Sequence, residues 1–508
     1  MRNSIKTYTT ENNGRVLLLF LLFLLAIFQL IDAGFSSFTI VCLSPLLIIA
    51  VYTLFRWRMS AFWALIIINY FLQMHDSPVP SGIPISLWNE MLEIILLAIA
   101  IIDSRKEPGF GKCANLMLFA LIIWCGFCTL QILNDTCNIG IDIGSWYTGA
   151  RLMAFQILYA FIVFSIYIST PKILFYYLRL WAVLALFSAF WTWKQKNVGF
   201  TQIEYAWLYY GPGQVTHLLN AGTLIRYFST FSDAANYGCN AAASAVCFLI
   251  IAITSKITWE RLFFTVVSIC VLWGMFQSGT RTAIFCMAAG FMVYIVLSKS
   301  FKIAIPFGIF FTLFMVFLIF TNFGNGNQQI RRMRSAFNKD DASANVRDIN
   351  KAAIRKYIKD APWGLGIGST QKNIPANNVY RKLSEIPPDS EYVYIWVHTG
   401  VVGLTVFIIT TLIMLVGACW VVMFRLKSKS LIGIGAGLCC AFVAIQIGAY
   451  ANQILMQFPN CLTFYGGLSI VYILPYLEAD WIEYEKKRLA KQEERKRLKL
   501  EKKLASRV

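Results

Sequence analysis

Charged residues are scarce in this 508-residue chain: they form 14% of it, against about 25% in an ordinary soluble domain. Histidine occurs three times, which argues against a metal site built from several histidines. Hydrophobic residues form 58% of the sequence, in recurring runs of nearly the length that crosses a hydrocarbon core about 30 Å thick. The short alternating segments of a membrane barrel are missing. The composition therefore predicts an all-α polytopic integral membrane protein.

Three further absences exclude local functions. No small-residue cleavage site closely follows the basic, then apolar N-terminus, so we interpret it as a first membrane helix rather than a signal peptide. "GLGIGS" has no following lysine and no preceding strand, which excludes a phosphate loop and indicates a tight glycine turn. Cys125 and Cys128 form a C-x-x-C inside the apolar "IIWCGFCTL", which favours buried thiols over a redox or zinc motif.

The net charge of +19 does not indicate a nucleic-acid partner, because the basic residues concentrate in short loops and at the C-terminus. The stretch from Glu483 to Val508 holds 11 lysines and arginines against 5 glutamates. It predicts a charged helix close to anionic lipid headgroups.

The hydrophobic segments predict about fourteen membrane helices, with twelve as the lower limit. The third is short, and the twelfth is long enough to contain a break around Gly400 and Gly403. The predicted spans are 16–33, 38–55, 60–74, 84–102, 115–133, 149–168, 172–192, 238–254, 261–277, 282–298, 302–320, 393–424, 431–450 and 458–477.

The short basic loops set the orientation. With fourteen spans, "RWRMS", "DSRKEPGFGK", "STPK", "SKITWER", "SKSFK" and "RLKSKS" all fall on the side of both termini, which the positive-inside rule makes cytoplasmic. We therefore expect four parts: membrane helices 1–11 in 1–320 with an outer loop at 194–237, a large and partly helical outer loop at 321–392, helices 12–14 in 393–480, and a basic cytoplasmic tail at 481–508.

Conspicuous arginines lie on the opposite, outer side. Arg226 precedes the eighth span, and Arg281 lies in the turn "QSGTR" before the tenth. Guanidinium groups are permanently charged and grip phosphate oxygens in a bidentate manner, so these positions suit a phosphate ligand. The alternative is that they only reach toward lipid headgroups at the ends of spans.

These pieces, in this order, resemble the O-antigen ligase/polymerase superfamily of bacterial inner membranes, over roughly residues 220–425. The resemblance lies in Arg226 with "FSDAAN", in "SGTRTA", in Arg347 followed by a helix and "APWGLGIGS", and in "DSEYVYIWVHTGVVGL". Where the family has a His-Asn pair, this chain has Asp389-Ser390. The family's candidate for activating the acceptor is therefore replaced.

The resemblance implies a GT-C-like membrane glycosyltransferase that uses an undecaprenyl-diphosphate-linked glycan on the periplasmic face. It implies no nucleotide sugar, no cofactor and no metal. Arg226, Arg281 and Arg347 would bind the diphosphate, and Asp389, or in second place Glu391, would act as general base with inversion at the anomeric carbon. The alternatives are that Asp389 only caps the following helix, that Arg347 only pairs with Asp348 or Asp341, and that His398 is a buried hydrogen-bonded side chain.

Three functions stay open at this point. A polymerase would extend O-antigen, capsule or exopolysaccharide repeats, and a chain-length regulator would be a further partner. A ligase would transfer finished glycan to lipid A-core or protein. A flippase or transporter would be no enzyme, but such proteins often carry internal repeats, and none is evident here. The replaced histidine and the unusual loop favour a polymerase.

Overall fold

Helices dominate the computed structural model, which describes residues 58–75, 85–103, 109–219, 224–299, 301–337 and 342–505, together with Gly222 and scattered positions between 14 and 57. The structure is 78% helical. Within the described residues, the only strands are β1 (Leu218–Leu219) and β2 (Leu224–Ile225), which pair antiparallel. The predicted all-α class is confirmed. The chain forms two compact units, residues 1–64 and 65–508, and the candidate functional site lies in the second.

Seventeen helices of five or more residues follow one another in these ranges, beside short 3₁₀ and π turns. They are α1 Arg58–Phe71, α2 Ile85–Asp103, α3 Leu116–Leu130, α4 Ile143–Tyr167 with an internal π turn, α5 Pro171–Asn197, α6 Gln202–Tyr210, α7 Gly213–His217, α8 Ala234–Thr254, α9 Thr258–Gln277, α10 Thr282–Ser298, α11 Phe301–Phe320, α12 Gln328–Arg334, α13 Ala342–Ile358, α14 Arg381–Glu385, α15 Glu391–Trp420, α16 Lys429–Ala451 and α17 Gly466–Ala505.

Helices occupy the predicted spans from 60–74 onward, whereas 16–33 and 38–55 lie largely outside the described residues. Among the described residues, eight helices are long and apolar enough to cross a membrane, and α1 and α10 are shorter apolar helices. The chain is therefore a multi-pass membrane protein. The count of fourteen stays a prediction.

Small residues let the central helices approach closely. Helices α8 and α16 each bury 83% of their most apolar window. A Cβ atom on Gly437 of α16 would lie 3.1 Å from the Cys247 carbonyl of α8, and one on Gly290 of α10 would lie 3.2 Å from the Cys440 carbonyl of α16. Glycine at these positions is what permits the backbones to pack, as is common between membrane helices.

Helix α17 contacts two of the predicted cytoplasmic loops. The tail part of α17 packs on the loop before α9, where Lys256 pairs with Glu485 at 2.8 Å and Arg488 pairs with Glu260. Glu478, also on α17, accepts from the backbone N–H of Ser428 in the loop before α16 at 2.7 Å. The C-terminal helix thus contacts two of the six basic loops, and the assignment of their side to the cytoplasm stays a prediction.

The cysteine pair inside α3 also fits its interpretation. Cys125 and Cys128 are both buried and form no disulfide. The Cys125 thiol contacts the Ala154 carbonyl of α4 at 3.6 Å. Both residues pack as small apolar side chains.

Candidate functional site

Helix α15 is broken near its start, where the sequence predicts a break. Gly400 has φ 68° and ψ −172°, a conformation that glycine adopts and other residues rarely do. The carbonyl of Val397, released by the break, accepts from the N–H of Leu365 at 2.9 Å. The next carbonyl, that of His398, accepts from the N–H of Gly366 at 3.0 Å. The glycine-rich segment before α14 is thus fixed against the broken helix.

That segment is the tight turn that the sequence predicts. Gly364, Gly366 and Gly368 have φ of 75°, 92° and 87°, so each needs the backbone freedom of glycine. A Cβ atom on Gly364 would lie 2.4 Å from the backbone nitrogen of Gly400. The two backbones can meet only because neither position carries a side chain.

His398 lies at the break and serves the packing. Its side chain is buried, and Nδ1 lies 3.2 Å from the Gly366 carbonyl. Its ring contacts the ring of Tyr394 with centroids 4.4 Å apart. This confirms the interpretation of His398 as a buried hydrogen-bonded side chain.

The cap of α15 is Ser390, not Asp389. The Ser390 hydroxyl accepts from the backbone N–H of Val393 at 3.3 Å, the geometry of a helix N-cap. The idea that Asp389 serves only as the cap is therefore wrong. Asp389 stands one residue before the cap, where its carboxylate is not used by the backbone of α15.

Glu391 is held by backbone groups. Its side chain is buried, it accepts from the N–H of Leu455 at 3.0 Å, and the N–H groups of the neighbouring Ile454 and Met456 also face it. Successive N–H groups that converge on an anion form a stable nest for a carboxylate. Glu391 thereby ties the start of α15 to the non-helical segment between α16 and α17.

A cavity of about 700 Å³, called here the first cavity, lies between the loop region and the membrane helices. Its charged and amide lining on one side comes from α13 and the residues before α15, and includes Arg347, Asp348, Asn350, Lys351 and Asp389. Its apolar lining comes from α15 and α16, and includes Leu404, Ile408, Leu412, Val443 and Ile447. Leu412 is 52% exposed, so this apolar wall is open toward the membrane side.

One face of α13 supplies the polar groups of the first cavity. Arg347, Asn350, Lys351 and Ile354 follow the i, i+3, i+4, i+7 spacing that places residues on one side of a helix. The Asn350 amide donates to Oδ2 of Asp389 at 2.9 Å. This bond orients the carboxylate in a cavity that also contains the Arg347 side chain.

The three predicted arginines are brought to one region. Arg226 donates to the Ser278 carbonyl at 3.4 Å and to the Thr280 hydroxyl at 3.2 Å, so it packs on the turn that carries Arg281. Asn452 links the other two: its oxygen accepts from Arg347 at 3.3 Å, and its amide lies 3.4 Å from the hydroxyl of Thr282, which follows Arg281.

The three arginines lie close enough for their charges to affect one another. Burial lowers the pKa of the Arg226 guanidinium, and the positive charges of Arg281 and Arg347 lower it further, while the Asp233 carboxylate opposes the shift. Clustered cations of this kind raise the local affinity for an anion. The arrangement is therefore suited to a diphosphate.

Sequence reasoning missed some residues of this region. Arg332 of α12 donates from Nε to the Gly279 carbonyl at 2.6 Å. It therefore packs against the same turn, residues 278–281, that Arg226 contacts. The sequence feature that could have indicated it is the run "RRMR", which contains three arginines and no acidic residue. Buried His217 was also missed: its Nε2 accepts from the N–H of Ala234 at the start of α8, and its carbonyl accepts from the N–H of Arg226 at 3.0 Å.

Fold and site together define a multi-pass, all-α membrane protein with an arginine cluster beside a cavity that is polar on one side and apolar on the other. Residues 266–408 match the family model described as O-antigen ligase. The resemblance to the O-antigen ligase/polymerase superfamily is thereby confirmed. The matched region includes Arg281, Arg347, Asp389 and Glu391 and leaves Arg226 outside. No curated protein matches the chain.

Proposed function

We propose that this protein is a membrane glycosyltransferase that joins undecaprenyl-diphosphate-linked glycan repeats on the periplasmic face of the bacterial inner membrane. We take a polymerase of O-antigen, capsule or exopolysaccharide as the first candidate. A GT-C-like architecture with fourteen spans and cytoplasmic termini is part of the proposal. The observation that carries it is the joint position of Arg347 and Asp389 in a cavity whose other wall is apolar and open toward the membrane.

The first cavity matches the parts of such a donor. An isoprenoid tail would lie along the apolar residues of α15 and α16, where its burial is favourable by about 25 cal/mol per Å² of apolar surface. The diphosphate would face Arg347 and, through Asn452 and Thr282, the neighbouring Arg281.

In the proposed reaction, the acceptor hydroxyl oxygen attacks the anomeric carbon of the donor. The bond from that carbon to the diphosphate oxygen breaks, and its electron pair stays on the diphosphate. Arg226, Arg281 and Arg347 stabilise the charge that develops there. Asp389, oriented by Asn350, takes the hydroxyl proton. A single displacement of this kind inverts the anomeric carbon and needs no metal.

The geometry favours Asp389 over Glu391 as the base. The carboxylate of Glu391 is buried and bonded to the backbone N–H of Leu455, whereas Asp389 lines the first cavity from a position outside the helix. We therefore assign Glu391 a positioning role.

A ligase is the second candidate, because the matching family model is described as O-antigen ligase. The two activities share the donor and differ in the acceptor. Deleting the gene and displaying surface and carrier-linked glycans on a gel separates them. Loss of long chains with one repeat left on the core supports a polymerase, and long carrier-linked chains beside a naked core support a ligase. Unchanged glycans would refute both.

Complementation of the deletion strain tests the arginines. We expect Arg226→Ala and Arg281→Ala each to lower product at least about 100-fold, the typical cost of removing one charge-stabilising donor. Arg355→Ala is the matched control, because Arg355 is exposed on α13 and does not line the first cavity. Membrane expression is measured for each variant. Full activity in either R226A or R281A would remove that residue from the diphosphate site.

A further inference from the structure

A second cavity of about 550 Å³ lies beside the start of α15. Its volume falls in the range of about 300–1,000 Å³ that is usual for small-ligand sites. Its polar lining is formed by Gln73, Ser86, Glu391, Tyr394, Gln453 and Gln457. The apolar residues Leu152, Met153, Met456 and Phe458 complete it.

The two cavities share a wall, because adjacent residues of the same two segments line them. Asp389 and Ser390 line the first cavity, whereas the next residue, Glu391, lines the second. The same alternation occurs after α16, where Ala451 lines the first and Gln453 the second. The Gln453 amide donates to the backbone carbonyl just before Asp389, which joins the two segments of this wall.

The linings differ in chemistry. The first cavity carries the cations Arg347 and Lys351 and a long apolar wall. Within the described part of the chain, no lysine or arginine lines the second, and its one charge is the Glu391 carboxylate, which the backbone already holds. What remains is a set of amides and hydroxyls with the ring of Tyr394. Such groups pair well with sugar hydroxyls, whereas a diphosphate would find no cation there to balance its charge.

Hydrogen bonds from neighbouring side chains hold the amide groups of Gln73 and Gln457 in position. The oxygen of Gln457 accepts from Ser232 at 2.6 Å and from Asn236 at 2.9 Å, and the oxygen of Gln73 accepts from Asn236 at 3.3 Å. Asn236 is fully buried and is itself held by Asn460, whose amide donates to it at 2.6 Å. With their oxygens engaged, both glutamines keep amide N–H groups to offer a ligand.

A buried ion pair lies beside the residues of α2 and α4 that line the second cavity. Ser86 lies one helical turn before Glu90 on α2, and Leu152 directly follows Arg151 on α4. Arg151 pairs with Glu90 at 3.3 Å, and the Tyr147 hydroxyl donates to the same carboxylate at 2.6 Å. This pair fixes α2 against α4, so the cavity is bounded by rigid elements on both sides.

We propose that the second cavity binds the acceptor saccharide, with its terminal sugar extending past the end of the wall so that its hydroxyl meets Asp389 and the donor in the first cavity. This inference rests on the proposed glycosyl transfer. The acceptor hydroxyl would lose its proton to Asp389 and bond to the anomeric carbon, while the carbon–oxygen bond to the carrier diphosphate breaks. The ligand class is an uncharged oligosaccharide end rich in hydroxyl groups.

The test alters each of the two cavities separately, by single substitutions of lining residues. Leu152→Trp places a large ring in the second cavity, and Tyr394→Phe removes one hydroxyl from it. Val183→Trp is the matched control, since Val183 is 50% exposed on the apolar surface of α5. Tyr392→Phe removes a hydroxyl from the first cavity, where it donates to Gln446 at 2.8 Å.

The assay uses purified protein, the carrier-linked repeat unit of the host as donor, and an oligosaccharide of the same repeats, released by mild acid, as acceptor. L152W should raise the KM for the oligosaccharide at least about tenfold and Y394F about threefold, with the KM for the donor unchanged. Y392F should alter only the KM for the donor, and V183W should match the wild type.

Binding without turnover gives an independent readout. The oligosaccharide alone should raise the Tm of the wild type and of V183W, and should not raise that of L152W. If L152W, folded with an unchanged Tm, raises the KM for the donor instead or leaves both KM values unchanged, the acceptor assignment is overturned. If the wild type transfers nothing, the proposed function itself fails, so the two failures are distinct.

Discussion

The contact between the broken helix and the glycine turn makes Gly400→Ala the most informative stability variant. A Cβ atom at Gly400 would lie 2.0 Å from the carbonyl oxygen of Pro362 and 2.5 Å from the nitrogen of Gly364. Neither neighbour is a flexible side-chain end, so the backbones would have to separate. The conformation of Gly400 itself costs about 1–3 kcal/mol for a residue with a side chain.

Separation also breaks hydrogen bonds. The bonds from Leu365 and Gly366 to the freed carbonyls would be lost, and so would the 3.3 Å bond from the N–H of Val402 to the Pro362 carbonyl. At about 0.5–1.5 kcal/mol each, the three contribute about 1.5–4.5 kcal/mol. We therefore expect Gly400→Ala to destabilise the protein by about 3–7 kcal/mol. Activity should fall with it, because α15 positions Asp389 and Glu391.

Thermal unfolding of detergent-solubilised protein, followed by intrinsic fluorescence, measures this effect. Gly126→Ala is the matched control, since Gly126 is a helical glycine of α3 and an added Cβ atom there would have no neighbouring atom within 4 Å. Alanine there should be neutral or stabilising by about 0.5–1 kcal/mol. A G400A protein that unfolds at the temperature of G126A would refute the close-contact reasoning.

Three further changes follow from the site. Burial and the charge of Arg226 lower the pKa of His217 to about 3, so the neutral ring is favoured in the folded state and stability is lost as pH falls below about 6.5. Between pH 6.5 and 5 this loss reaches up to about 2 kcal/mol. His217→Gln, whose side chain can still accept from the N–H of Ala234, should flatten the pH dependence of Tm. Equal slopes of Tm against pH in the variant and the wild type would contradict this prediction. Glu391→Gln should cost about 1–3 kcal/mol of stability, because the amide NH₂ group cannot accept a hydrogen bond as the second carboxylate oxygen does, while turnover below the transition temperature stays within about tenfold. A greater loss of turnover would indicate that Glu391 takes part in the reaction. Asn350→Ala should lower kcat about tenfold without changing the KM for the donor, since it only orients Asp389; a changed KM alone would assign it to binding.

Local sequence features predicted the helices and the break in α15. A run of apolar residues is a local property, so hydropathy located the helices that the structure describes. The break was visible because Gly400 and Gly403 interrupt a span that is longer than a membrane needs. Its partner was not visible, since the glycine turn meets the break only through a backbone contact that no local pattern encodes.

The cap and the nest show where local reasoning ends. Asp389 and Ser390 are both good capping residues, and only the backbone geometry decides that Ser390 takes the role. Glu391 looked like a second candidate base because its partners, Ile454 to Met456, lie more than sixty residues further on. The second cavity is assembled from five separate segments, so its composition could not be read from any one of them.

The replacement of the family's His-Asn pair by Asp389-Ser390 is explained by position. The residue before an N-cap has left the helix, so its side chain is not consumed by helix hydrogen bonding. At 389 it faces the first cavity between Asn350 and the Arg347 side chain. Under the proposed reaction this position holds the base, a role that either a carboxylate or an imidazole could fill.

Asp389→His, which restores the family's residue, tests this conclusion against Asp389→Asn. The asparagine cannot accept the proton, so product formation should fall about 10²–10⁴-fold. Histidine can accept it, and D389H should retain at least about tenfold more activity than D389N. Because an imidazole titrates near pH 6.5, the activity of D389H should also decline below that pH more steeply than that of the wild type. Both variants must unfold at the wild-type temperature for the comparison to hold. If D389H is then as inactive as D389N at every pH, residue 389 orients the substrate rather than removing its proton.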